Sequence, residues 1–379
     1  MNKDIRPDEE RLTRRTFLKT AGVAAVGTGL LAACASTPTG VAEGEANSNS
    51  TEGAVEQVAA TVAPTQERIA ADPTDIPGPI RRDGPERVEV TLDVQEVVAE
   101  VEPGVTFNYM TFGGQIPGPL IRVRQGDTIV FTLKNLPDNG MTHNVDLHAV
   151  YGTGGGNIAT NVSPGQSNGM IFKTMYPGAF IYHCAVPTLD YHISSGMFGM
   201  IVVEPPEGLP PVDHEFYLGQ HEVYTDKNAG AKGHHAFDML AMRREEPSYV
   251  LLNGEKYALT PDRRGAMQVK VGDTARIFFV NGGPNLTSSF HPIGNVWSKA
   301  WHEGALANSP ELYLQTVSVA PGSCLVTEME FPVPGDVKLV DHAITRVLSK
   351  GMLGVIEVTG DAQPDIFDPD LPNDPEANG

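Results

Sequence analysis

Across residues 88–360 the apolar side chains fall in short runs, many of them β-branched, separated by turns such as Pro164-Gly165, Pro177-Gly178 and Pro321-Gly322. Runs of this length and composition predict strands, for example over 128–133, 180–182 and 200–203. The pattern loosens near 236–244, where a modest helical insert is expected.

The runs also recur in order. Val123-Arg124-Gln125-Gly126-Asp127-Thr128 is matched by Val269-Lys270-Val271-Gly272-Asp273-Thr274, and each block ends seven residues before an asparagine, Asn135 or Asn281. The Pro-Gly pairs at 164 and 177 lie 13 apart, as do those at 321 and 334. Both copies close alike, with Gly196-Met197-Phe198-Gly199-Met200-Ile201 and Gly351-Met352-Leu353-Gly354-Val355-Ile356. Three matched blocks in one order imply a duplication. The fold class expected is all-β, as two tandem Greek-key β-sandwich domains over 88–205 and 206–360.

The ends read differently. Residues 1–34 hold Arg14-Arg15, a small apolar run from Ala21 to Ala33, and Leu31-Ala32-Ala33-Cys34. That run is too short for a bilayer of about 30 Å. The paired arginines resemble a twin-arginine export signal, and the last four residues resemble a lipobox, which would acylate Cys34 and leave the protein outside the cytoplasm on a lipid anchor. Residues 35–87, with no aromatic before Pro85, are expected to form a flexible tether. Residues 361–379 carry six acids, four prolines and no base, and read as a solvated acidic tail.

Across all 379 residues the formal net charge is −20, which opposes a nucleic-acid partner because phosphate binding needs a basic face. Three cysteines, Cys34, Cys184 and Cys324, are too few for a disulfide framework. Cys324 aligns with Ser167 in the other copy and reads as a buried thiol.

Chemistry concentrates in the first copy. Cys184, His192 eight residues on, Met197 five further, and His143 upstream make a thiolate, two imidazoles and a thioether. That is the donor set of an electron-transfer copper with a weak axial methionine. In a strand, neighbouring side chains face opposite sides. If Cys184 points inward to a metal, His183 points outward; by the same parity His148 and Asp146 turn away from His143. A second constellation of Asp146, His148 and His183 is expected on the outer face. In the second copy, Phe290-His291 aligns with Leu147-His148 and Asp341-His342 with Tyr182-His183, while Ala343 stands in the place of the cysteine. The second domain thus keeps outward histidines and lacks the first metal site. Set against His148 and His183, those histidines would complete a second copper site with an open position; two domains of one chain could meet this way, but a ring of subunits satisfies that pairing for every copy. His214, His221, His234, His235 and His302 have no metal-ligand spacing and read as structural.

His-Asn-Val-Asp-Leu-His at 143–148, His-Cys-Ala-Val at 183–186, His192 with Gly196-Met197, Ser-Ser-Phe-His at 288–291 and Val-Asp-His at 340–342 resemble the copper-containing nitrite reductases, over about 88–360 and in their shorter-loop branch. The resemblance implies two cupredoxin domains in a homotrimer reducing nitrite to nitric oxide. It implies type 1 copper on His143, Cys184, His192 and Met197, and type 2 copper on His148 and His183 with His342 of a neighbouring subunit. Asp146 and His291 would handle protons, Ile293 would shape the nitrite pocket, and a cupredoxin or c-type cytochrome would deliver electrons. A tethered electron carrier and a two-domain multicopper oxidase are the alternatives, the latter opposed by the lack of any His-x-His pair.

Overall fold

The computed structural model describes residues 68–370. Cys34, the arginine pair and the apolar run before it lie outside the described residues. Among the described residues no helix is long and apolar enough to cross a membrane.

Four sheets make two sandwiches. In the first, a five-stranded sheet runs in the order Gly233–His235, Val105–Phe112, Arg87–Glu102, Thr128–Asn135, Ser167–Lys173. It faces a four-stranded sheet ordered Ile121–Arg124, Phe198–Glu204, Gly178–His183, Asp146–Leu147. Strand Thr128–Asn135 shows why the faces separate: Ile129, Phe131 and Leu133 alternate with partly exposed neighbours and enter the core that also holds Leu147, Cys184 and Met197. The second sandwich is built alike, with sheets of six and five strands around Phe279, Phe290, Trp297, Leu325 and Leu339. Trp297 is fully buried there, stacked on Phe290.

The duplication is visible in strand register. Leu147 pairs with Tyr182 and Phe290 with Asp341, at the positions the sequence alignment equates. Likewise Lys134 pairs with Ser167 and Val280 with Cys324.

Every residue of Phe198–Glu204 is buried. Ile201 and Val203 enter the first domain's core, whereas Phe198, Met200 and Val202 pack on Tyr217, Tyr249, Phe278 and Val326 of the second domain. A strand buried on both faces reads as an unbroken apolar run, which is how 198–203 appears. Gly282 lets the second domain close in, since a Cβ there would sit 2.7 Å from the Phe198 ring. One strand and a helix depart from a simple division at residue 205. Gly233–His235 pairs in parallel with Val105–Phe112 of the first domain. Helix α1, Leu189–Ser194, interrupts the loop after Cys184 and is tied to the second domain by Ser194 Oγ donating to the Glu222 carbonyl at 2.8 Å. The expected insert near 236–244 contains helix α2, Met239–Arg243, capped by Asp238, whose carboxylate accepts from the amides of Leu240 and Ala241.

The flexible tether expected over 35–87 is corrected for its C-terminal part. Ile69, Ala70 and Ala71 are buried, and Glu255 accepts the amides of Ile69 at 2.8 Å and Ala70 at 3.1 Å as well as Arg68 Nε at 2.8 Å. A stretch with few apolar residues becomes ordered because one buried carboxylate satisfies its backbone donors. At the other end, Ile366 and Phe367 line a groove with Val296, Pro332 and Val337 while remaining mostly exposed.

Glu255→Ala is expected to lower stability by about 3–5 kcal/mol, because it leaves Arg68, Arg263 and two amides without their buried acceptor. Urea unfolding measures this; an unchanged midpoint would show that the 68–71 segment adds nothing to the fold.

Candidate metal centres

Strand Gly178–His183 ends where the chain must serve two faces at once. His183 Nδ1 donates to the carbonyl of its own neighbour Cys184 at 2.9 Å, which leaves Nε2 with a free lone pair. That nitrogen lies 3.1 Å from His148 Nε2. Asp146, opposite His183 in the ladder, completes a group whose potential ligand atoms all lie within 4.8 Å of one another.

On the inner face Cys184 Sγ lies 3.5 Å from His192 Nδ1 and 3.9 Å from His143 Nδ1, and the two imidazole nitrogens are 3.2 Å apart. Two nitrogens each about 2 Å from one first-row ion, at a roughly tetrahedral angle, would lie about 3.3 Å apart. The cluster therefore fits a single metal. Met197 is fully buried in the same core, and its amide and carbonyl hold the loop shut by bonding the His192 carbonyl and the Cys184 amide, each at 3.1 Å.

Local electrostatics favour ligation at His192 and His148 and oppose it at Cys184. Burial, then the neighbouring charge of His143, pushes His192 down to about 4 against the opposing pull of Glu96, so its ring is neutral in ordinary buffers. Burial and His183 lower His148, with Asp146 opposing. Burial raises the Cys184 thiol, despite backbone hydrogen bonds that favour the thiolate.

Two neighbours escaped the sequence reading. Glu96, on the long first strand, accepts from His143 Nε2 at 2.9 Å and thereby aims Nδ1 at Cys184. It also accepts from the amides of Gly140 at 3.1 Å and Met141 at 2.9 Å; burial raises its pKa, but the bonds from His143 and these amides bring it below the ordinary value. Asn144 Oδ1 accepts from the Ala185 amide at 2.8 Å and lies 3.9 Å from Cys184 Sγ. Asn144 stood inside a quoted motif, but Glu96 is 47 residues from His143, with no spacing to reveal it.

Asp146 is cradled by a glycine-rich turn at Thr153–Gly156: a Cβ at Gly155 would fall 1.8 Å from Asp146 Oδ1. In the second domain, His291 and His342 form an edge-to-face pair with ring centroids 5.1 Å apart, outside the His148 and His183 group of the same chain. His291 Nδ1 donates to the Gln315 carbonyl at 2.7 Å, and His342 opens onto a shallow cavity with Ser289 and Thr316. Ile293, two residues beyond His291, is 41% exposed. Of the other histidines, His214 pairs with Asp273 and His235 bonds Thr225, whereas His221 is buried against Phe198 with neither ring nitrogen hydrogen-bonded among the described residues. Cys324 is buried as well.

Two β-sandwiches with a Cys-His-His cluster in one of them define a two-domain, cupredoxin-like copper protein. The multicopper oxidase family matches residues 93–208. A copper-containing nitrite reductase of Neisseria meningitidis serogroup B is 41% identical over 304 residues, covering 80% of this chain and 77% of that protein. The solved copper nitrite reductase from Nitrosomonas europaea superposes with a TM-score of 0.65 at 32% identity, covering 74% of this chain and 96% of that one. A solved multicopper oxidase gives 0.63 at 25% identity, covering 77% and 98%. The chain belongs to the copper-containing nitrite reductase family.

Because the Cys184 proton must leave before its sulfur can ligate, while His192 is already neutral, copper affinity at the inner cluster is expected to rise about tenfold per unit between about pH 7 and pH 9. Chelator competition, with one proton released per ion, measures this; a flat profile would remove Cys184 from the ligand set.

Proposed function

We propose that the protein reduces nitrite to nitric oxide and water, consuming one electron and two protons, with type 1 copper on His143, Cys184, His192 and Met197 and type 2 copper on His148, His183 and His342. The observation that carries this reading is the pair of clusters set back to back across the His183–Cys184 peptide. Copper, when bound, supplies one-electron chemistry at both clusters and a Lewis-acid position for nitrite at the outer one.

The chain's own residues supply the rest. The peptide linking Cys184 to His183 is a covalent path between the clusters, with the His183 ring bonded back onto it at 2.9 Å. Asp146, held beside His148 and His183, is placed to bond an oxygen of nitrite and deliver a proton. His291, paired with His342 and so brought by the same neighbouring subunit, has its Nδ1 committed to Gln315 and presents Nε2 as the partner in that relay, with Ile293 narrowing the space beside it.

His342 belongs to the second domain, so a neighbouring subunit has to bring it to His148 and His183. A closed ring of three gives every first domain one such neighbour. The net charge of −20 suits a small basic redox protein, a cupredoxin or c-type cytochrome, as electron donor, an association that salt would weaken. Export by the twin-arginine route and a lipid anchor at Cys34 would place the enzyme outside the cytoplasm. The oxidase reading finds no His-x-His pair to build a trinuclear site.

Asp146→Asn is expected to keep both coppers and lower nitric oxide production by roughly 10²-fold or more, measured with a reduced donor beside metal analysis and electron paramagnetic resonance. Wild-type turnover in that variant would remove Asp146 from the mechanism.

His148→Ala and His342→Ala chains, each inactive alone, are expected to regain about one quarter of wild-type activity when refolded or co-expressed in equal amounts, because mixed rings contain some intact sites. No recovery would mean that both histidines act within one chain.

A further inference from the structure

We propose that the Glu96 carboxylate is a positioning residue that holds down the reduction potential of the copper bound by His143, Cys184 and His192. The inference rests on the type 1 copper reading above and goes beyond it, because it assigns a role to a residue outside the ligand set.

Glu96 is built into place. Its own amide donates to Asn139 Oδ1 at 2.8 Å, and Asn139 Nδ2 bonds the Val94 carbonyl at 2.8 Å and Asn135 Oδ1 at 2.6 Å. The turn before His143 is thereby fastened to the first strand, and two of its amides, Gly140 and Met141, point at the carboxylate. The remaining contact is His143 Nε2 at 2.9 Å, with the His143 side chain fully buried and the Glu96 side chain 16% exposed.

A carboxylate bonded to the far nitrogen of a ligating imidazole draws its proton outward and makes the ring a stronger donor. It also sets a negative charge near the metal in a partly dry environment. Both effects stabilise the oxidised ion over the reduced one and lower the potential. The two imidazoles are unequal in this respect. His192 Nε2 is buried with no hydrogen-bond partner among the described residues, beneath Tyr191, whose ring packs on Phe237 of the second domain at 4.4 Å. Among the described residues only His143 of the two is hydrogen-bonded to a carboxylate, so the anionic contact enters the site from one side.

Glu96→Gln tests this in the full copper-loaded protein. Glutamine can accept the same hydrogen bond without the charge. The variant is expected to keep its copper and its thiolate-to-copper absorption band, while the reduced-to-oxidised ratio at a fixed applied potential rises about tenfold, equivalent to about 59 mV for one electron. Glu100→Gln, on the same strand with its carboxylate on the Gly104 amide, is the control and is expected to move the potential much less. An unchanged potential in Glu96→Gln, or an equal shift in Glu100→Gln, would overturn the proposal. A wild-type protein that binds copper without any thiolate-to-copper band would instead overturn the type 1 reading, and this proposal with it.

Discussion

Two adjacent residues in a strand cannot face the same way, and this constraint at His183–Cys184 organises the molecule. The sulfur enters the first domain's core, where Leu147, Phe131 and Met197 exclude water from it. The imidazole one residue earlier must leave that core and meet His148 and Asp146 on the other side. Two clusters with different donor character, soft inside and imidazole-rich outside, therefore lie one peptide apart. The His183 Nδ1 bond to the Cys184 carbonyl fixes which nitrogen faces outward, so a backbone atom of the inner cluster sets the tautomer of the outer one.

The rest of the fold keeps that junction rigid. Residues 198–203 return directly from the Met197 loop and are covered on both faces, which binds the inner cluster's loop to the interface between the domains. Charged groups bridge the same interface: Glu215 of the second domain accepts from Arg122 Nη1 at 2.6 Å and from Arg276 Nη1 at 2.8 Å. Buried ion pairs of this kind add little net stability but are costly to break singly, so they act on the relative placement of the domains. The 68–71 segment laid along Glu255 and Ile116 closes the same seam from outside.

The duplication explains the division of labour. Both copies pair the same positions across the same strands, yet Ala343 replaces the thiol in the second. In place of a metal cluster the second copy buries a hydrogen-bonded set in which Asp341 accepts from Gln220, the Ser289 amide, the Ala343 amide and Arg346. Its strand end is thus held by hydrogen bonds to a buried carboxylate, and His291 and His342 lie at its accessible side.

Sequence by itself determined the repeat, many of the strands and which side chains would gather into the two clusters, because side-chain alternation and loop spacing are local properties. Cys184, His192 and Met197 lie within 14 residues, and parity alone separates His183 from Cys184. Register, burial and approach belong to the tertiary structure. Only folding brought Glu96 to His143, set Gly155 against Asp146, drew Gly233–His235 into the first domain's sheet and buried Ile69 in a segment that reads as tether. Each of these contacts joins residues remote in sequence or depends on the exclusion of water. No local pattern carries that information, since the free energy of such contacts arises from partners that the chain meets only when packed.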